Sequence, residues 1–159
     1  MSQKIKSIIG HILAALMLWA LLNSAYFFLS VANFPVMDWL VFNACSLAII
    51  SYLTCFIAYL ITRKHLFLAI ALVPQYYYGT MGLLVVPWDS FNAFAQITHI
   101  IITLNVIWVL FVMMKESRYE ALGKGLLIGL LVFVPIFALI QGQTQLHMAE
   151  YLKMLHDAQ

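Results

Sequence analysis

The stretch RKHLFLAIALVPQYYYGTMGLLVVPWD, residues 63–89, decides how this chain is built. It opens on two bases and closes on an acid, with no Asp, Glu, Lys or Arg between Lys64 and Asp89. Residues 66–86 are long enough to cross hydrocarbon as a helix, which takes about 20 apolar residues. Yet the middle of the stretch holds Pro74, Gln75, three tyrosines, Gly79, Thr80 and Gly82. It is either a true span with a breakable centre or a re-entrant loop. A span puts Arg63 and Asp89 on opposite sides of a membrane; a loop puts them on the same side.

The rest of the chain decides between these. Of 159 residues, 65% are hydrophobic and only 9% charged, with a mean hydropathy of +0.98. A soluble domain carries about 25% charged residues to face water, so this composition points to a polytopic membrane protein. A net charge of +2 does not point to nucleic acid. The charges divide the chain into five uncharged runs, predicting spans near 8–31, 37–62, 66–86, 91–114 and 122–141. With five spans, Lys4, Lys6, Arg63, Lys64, Lys115, Arg118 and Lys124 fall on one side, with Glu116 and Glu120. Asp38, Asp89, Glu150, Asp157 and Lys153 fall on the other. Seven of eight bases on one side is a positive-inside pattern. It predicts a cytoplasmic N-terminus and an extracytoplasmic C-terminus in a cell (inner) membrane. A re-entrant 66–86 destroys this sorting. The first uncharged run exceeds the 7–15 apolar residues of a signal peptide and reads as a retained span.

The expected fold is therefore all-α: a polytopic bundle of five transmembrane helices with short loops. Residues 1–141 form one transmembrane domain. Residues 142–159 form an extracytoplasmic tail, in which Met148, Tyr151, Leu152 and Leu155 recur at helical spacing, as in an amphipathic helix lying on the outer leaflet. Short loops predict antiparallel neighbours.

No acid or base lies in the middle of any span, which disfavours proton relays and charge-selective channels. The polar signal is neutral. In the fourth span Asn92, Gln96, His99 and Thr103 share a face within about 60°. In the first, Trp19, Asn23, Tyr26 and Ser30 share another. In the third, Pro74 predicts a kink, and Gln75, Tyr78, Gly79 and Gly82 share a small, hydrogen-bonding face. Such lines read either as interhelical glue or as the walls of a cavity. The candidate ligand-binding set is Trp19, Asn23, Tyr26, Gln75, Tyr78, Gln96, His99 and Thr103. Ala121, Gly125 and Gly129 form a small-residue ridge for close helix packing, within the chain or with a homo-oligomeric or other membrane-protein partner.

No cofactor or metal site is expected. His99 and His11 do not match in depth as haem ligands must, and His147 with Glu150 lacks a third ligand. Cys45 and Cys55 read as small apolar core residues. The segment LNVIWVLF, 104–111, resembles an Asn-x-x-Trp-x-x-Phe pattern of the tryptophan-rich sensory proteins, which implies porphyrin or sterol binding. Two spans follow the motif in that family and one follows it here, so the chain is assigned to no family.

Two functions lead. One is a bundle that binds or passes a neutral or amphipathic small molecule, such as a lipid, isoprenoid, quinone or pigment. The other is a non-catalytic subunit or assembly factor of a membrane complex. An intramembrane enzyme using His99 stands third, because the orienting carboxylate of a catalytic triad is missing.

Overall fold

The computed structural model describes residues 3–89 and 92–157, and all regular structure among them is helical. Five helices are long and apolar enough to cross a bilayer: Gln3–Val31, Ala44–Thr62, Leu66–Val85, Ala93–Lys115 and Tyr119–Met154. They are called the first to fifth helices below. Uninterrupted apolar runs form helices because only internal hydrogen bonds satisfy such a backbone in hydrocarbon. Three left-handed residues follow the first, second and fourth helices: Asn33, Arg63 and Ser117, with φ of 54°, 60° and 52°. They turn the chain sharply at its connections.

The second expected span, 37–62, is divided. A short helix, Val36–Phe42, precedes the second helix and is separated from it by Asn43 at φ −107° and ψ 65°. Asn43 Nδ2 donates to Ser24 Oγ at 2.7 Å. Trp39 Nε1 donates to the same oxygen at 3.0 Å. One buried serine thus fixes the break. The expected start of the fourth span at Phe91 lies outside the described residues.

The third helix is the most broken of the five. It is α-helical over Leu66–Ile70 and Leu72–Pro74, π-helical over Gln75–Thr80, then α-helical over Gly82–Val85. Regular α-helical geometry gives way to a wide turn at the residue after Pro74. Proline has no N–H to give the carbonyl four residues back, which is that of Ile70. A Cβ placed on Gly129 would lie 2.8 Å from this same carbonyl oxygen. At Gly125 a Cβ would lie 2.9 Å from Leu66 O. Glycine lets the fifth helix approach the third backbone to backbone. The ridge read in the sequence is thus used inside the chain.

This pairing sets the topology. The third and fifth helices run in the same direction, with Gly125 beside Leu66 and Ala69, Gly129 beside Ile70 and Val73, and Phe137 against Tyr77 and Tyr78. The fifth helix barely touches the fourth, although only three residues connect them. The expectation of antiparallel sequence neighbours fails here because the glycine ridge faces the third helix.

The expected separate tail helix is absent. Tyr119–Asp157 is one helix of 39 residues, roughly 58 Å long. Gly142 interrupts an otherwise helix-favouring run after Pro135, and one glycine costs only about 1 kcal/mol. The tail is held by the connector between the first two helices. Tyr151 is buried against Phe34 and Phe42 and donates to Asp38 Oδ1 at 3.2 Å. Thr144 Oγ1 donates to Val41 O at 3.0 Å. Met148 and Leu152 stay exposed, and the side chain of Leu155 lies outside the described residues.

Gly129→Leu should lower thermal stability in mild detergent by about 1–3 kcal/mol, the cost of overpacking a close contact. Gly123 has open space around its Cβ position, so Gly123→Leu is the matched control. Equal melting temperatures for the two variants would contradict the backbone-to-backbone contact.

Candidate functional site

Four helices meet at one point. Gln75 of the π-helical segment and Asn105 of the fourth helix are both fully buried, and Asn105 Nδ2 donates to Gln75 Oε1 at 2.9 Å. Gln75 Nε2 faces Met17 Sδ of the first helix at 3.8 Å. Tyr52 of the second helix lies beside Asn105, although its hydroxyl and Asn105 Oδ1 do not reach hydrogen-bond geometry. The two amides pair once with each other in a packed centre, while Asn105 Oδ1 and the Tyr52 hydroxyl keep no partner.

From that point the third and fourth helices form an antiparallel seam. Gln75 faces Asn105, Gly79 packs on Ile102, and Gly82 packs on His99. A Cβ on Gly82 would lie 2.6 Å from His99 Nε2. Next along the seam, Gln96 Nε2 donates to Val86 O at 2.5 Å. Thr103 Oγ1 donates to His99 O at 2.8 Å and reaches Thr80 Oγ1 at 3.4 Å. Asn92 caps the start of the fourth helix through Asp89, its backbone N–H donating to Oδ1 at 2.8 Å. The fourth-helix stripe therefore lies against the third helix, as interhelical glue requires. His99 Nδ1 and Gln96 Oε1 are buried without partners.

The first-helix set is not brought to this point. Trp19, Asn23 and Tyr26 are exposed. Asn23 Nδ2 donates to Trp19 O of its own helix at 2.8 Å, and Trp19 packs edge-on against Phe94. The buried face is instead Gly10, Leu13, Ala14, Met17, Ala20 and Ser24. Small residues at helical spacing allow close packing, while Trp and Tyr suit an interface with lipid headgroups. Weight given to small residues would have found this face. Tyr78 is also diverted. The wide π turn directs it, with Tyr77, onto Phe137 of the fifth helix, and its hydroxyl is buried without a partner.

The open space lies elsewhere. A groove of about 570 Å³ runs between the third, fourth and fifth helices. Leu126, Leu130, Val134, Ala138 and Gln141 form one wall, Leu72, Val73, Tyr76 and Tyr77 the other, and Val106 and Leu110 the floor. From Leu126 to Gln141 it extends roughly 22 Å at the helical rise. One end is polar: Tyr77 Oη donates to Gln141 Oε1 at 3.3 Å, and Tyr76 is exposed beside it. None of the eight residues expected to bind a ligand lines this groove.

A second polar group occupies the basic end of the bundle. Lys6 Nζ pairs with Glu116 Oε1 at 2.5 Å. His65 Nε2 lies 2.9 Å from Glu116 Oε2, without hydrogen-bond alignment. Burial works to raise the Glu116 carboxyl, but the Lys6 hydrogen bond, helped by the charges of Lys6, His65 and Arg118, outweighs it and holds the group below its ordinary range. Burial pushes His65 down, and this outweighs the attraction of Glu116.

Comparison with protein-family models, with curated proteins and with solved structures finds no match to this chain.

Asn105→Leu should leave Gln75 Oε1 buried and unpartnered, at a cost of about 1–3 kcal/mol. Adding Gln75→Leu should recover part of that loss in the double variant. Thermal melting of the two single variants and the double variant in one detergent measures this coupling. Strictly additive losses would contradict the pairing.

Proposed function

We propose that this chain is an integral membrane bundle whose groove between the third, fourth and fifth helices holds an amphipathic molecule with one long hydrocarbon tail. The observation that carries this is the groove's shape and lining. Its volume of about 570 Å³ lies in the range of sites that hold one small molecule, and its fifth-helix wall follows roughly 22 Å of helix, which suits a hydrocarbon chain laid along it. The walls offer the tail apolar contacts, and Tyr76, Tyr77 and Gln141 offer hydroxyls and an amide to a polar head.

The length favours some occupants over others. One leaflet of a bilayer is about 15 Å of hydrocarbon, so a tail that fills the groove passes the midplane. Isoprenoid-tailed molecules, quinones included, meet that requirement better than an ordinary acyl chain. The absence of charge among the lining residues named above favours a neutral head.

The bundle's charge distribution supports an orientation as well. Lys6, His65, Glu116 and Arg118 meet at one end, while Asp38 and Tyr151 meet at the other. The basic end faces the cytoplasm, which places the polar end of the groove near the outer interface. A reporter fused after Gln159 should be active outside the cell and silent inside. The reverse result sinks the orientation.

Native mass spectrometry after purification in mild detergent tests the groove. The unmodified protein should carry an apolar small molecule. Ala138→Trp, which places an indole in the groove from its exposed wall, should reduce that occupancy at least about tenfold with little change in melting temperature. Recovery of a stoichiometric protein partner with no small molecule would support the subunit reading instead.

A further inference from the structure

The groove leaves unused a crevice on another side of the bundle, between the first, second and fourth helices. It holds about 150 Å³, and Lys6, His11, Tyr59, Arg63, Trp108 and Glu116 are among the residues that line it. It sits at the basic end, where the third and fifth helices do not reach it.

Its charges are not balanced. Glu116 is the one acid in the lining, and three cationic or basic groups already engage it: Lys6, His65 and, at 4.0 Å, Arg118. Arg63 also lines the crevice, and among the described residues its guanidinium has no ion-pair or hydrogen-bond partner. Its backbone is fixed at the end of the second helix, with φ 60° and its N–H donating to Tyr59 O at 2.8 Å. The side chain therefore starts from a defined position with all five N–H donors free, the arrangement that suits phosphate. His11 donates through Nδ1 to Ser7 O at 2.7 Å, so its ring is held at the crevice wall by its own helix.

The surroundings are those of a lipid headgroup site. Lys6 is buried, and Trp108 Nε1 donates to the Lys6 carbonyl at 3.2 Å, so the crevice floor ties the first helix to the fourth. Next to the lining residues, Ile8 and Ile12 on the first helix and Ile57 and Ile61 on the second are exposed, giving acyl chains apolar surface on both flanks. Basic pockets between helices at the cytoplasmic face recognise acidic headgroups. A trimethylammonium group would meet Arg63 and Lys6 at close range and be repelled.

We propose that this crevice binds the phosphodiester headgroup of an anionic phospholipid of the inner leaflet, with Arg63 as the principal phosphate ligand. The site is independent of the groove and of its occupant.

The test uses the full chain in mild detergent with phosphatidylglycerol or phosphatidylcholine added at equal mole fraction, read by native mass spectrometry. The unmodified protein should retain phosphatidylglycerol at least about fivefold over phosphatidylcholine, as expected of one well-placed base. Arg63→Gln should lose that preference. Lys64→Gln, which removes an exposed neighbouring base outside the crevice, should keep it, and lipid-free melting temperatures should stay within a degree or two of one another. Equal retention of the two lipids overturns the proposal. So does an equal loss in both variants, which would mean diffuse attraction to the basic end. Inorganic phosphate at millimolar concentration is the third arm. If it displaces phosphatidylglycerol completely, the site takes a free anion and the lipid assignment falls.

Discussion

The hydrogen bond between Asn105 and Gln75 is the constraint around which the bundle is arranged. Both residues are fully buried, and in an apolar interior each amide left unpaired costs several times what a surface hydrogen bond contributes. Satisfying them fixes the rotation of the third helix against the fourth and the register of both. Gly79 against Ile102 and Gly82 against His99 then follow as the next steps of one seam. The π-helical turn over Gln75–Thr80 belongs to the same arrangement. It begins where Pro74 has removed a backbone donor, and it lets Gln75 face the fourth helix while Tyr77 and Tyr78 face the fifth. A regular α-helix would hold all of these to one rotation.

Features written in the charges were readable in the sequence. The five uncharged runs became the five long helices, and Lys6, Arg63 and Arg118 lie at one end with Glu116. Features written as small residues were half readable. Gly125 and Gly129 announced a close contact but not its partner, which is the backbone of Leu66–Ile70. The matching stripe Gly10–Ala14–Met17–Ala20–Ser24 carries no polar signal stronger than that of Trp19, Asn23 and Tyr26. Polarity is not the same as burial here: Asn23 satisfies itself on its own helix, and aromatic residues are stable at an interface. Asn105 stood in the quoted segment 104–111 yet off the Asn92–Gln96–His99–Thr103 line, so its role depended on a partner that only the π turn brings into place. The break at Asn43 and the continuous run to Asp157 were hidden for a related reason. Both depend on tertiary contacts, through Ser24 and through Tyr151, that local pattern does not encode.

The same preference for mutual satisfaction moved the candidate site. Polar lines that converge on a centre either enclose a cavity or pair with one another, and here Asn105 and Gln75 pair across it. His99 shows the balance. Its face is occupied by Gly82, yet Nδ1 has no partner, so it contributes shape to the seam more than hydrogen bonding. The space available to a ligand then has to come from helices that fail to close on each other.

Such a failure is built into the connectivity. The fifth helix starts beside the end of the fourth, since only Glu116, Ser117 and Arg118 separate them. Two antiparallel helices joined so tightly would ordinarily zip along their length. Instead Gly125 and Gly129 draw the fifth helix toward the carbonyls of Leu66 and Ile70, and it barely touches the fourth. A helix cannot follow two partners that diverge. The wall of the groove on the fifth helix therefore runs from Leu126 to Gln141, while its floor on the fourth is confined to Val106 and Leu110. The proline that frees the Ile70 carbonyl, the glycine that accommodates it and the open groove are consequences of one choice of partner. Filling Gly129 would strain the contact that holds the fifth helix away from the fourth, and with it the groove between the third, fourth and fifth helices.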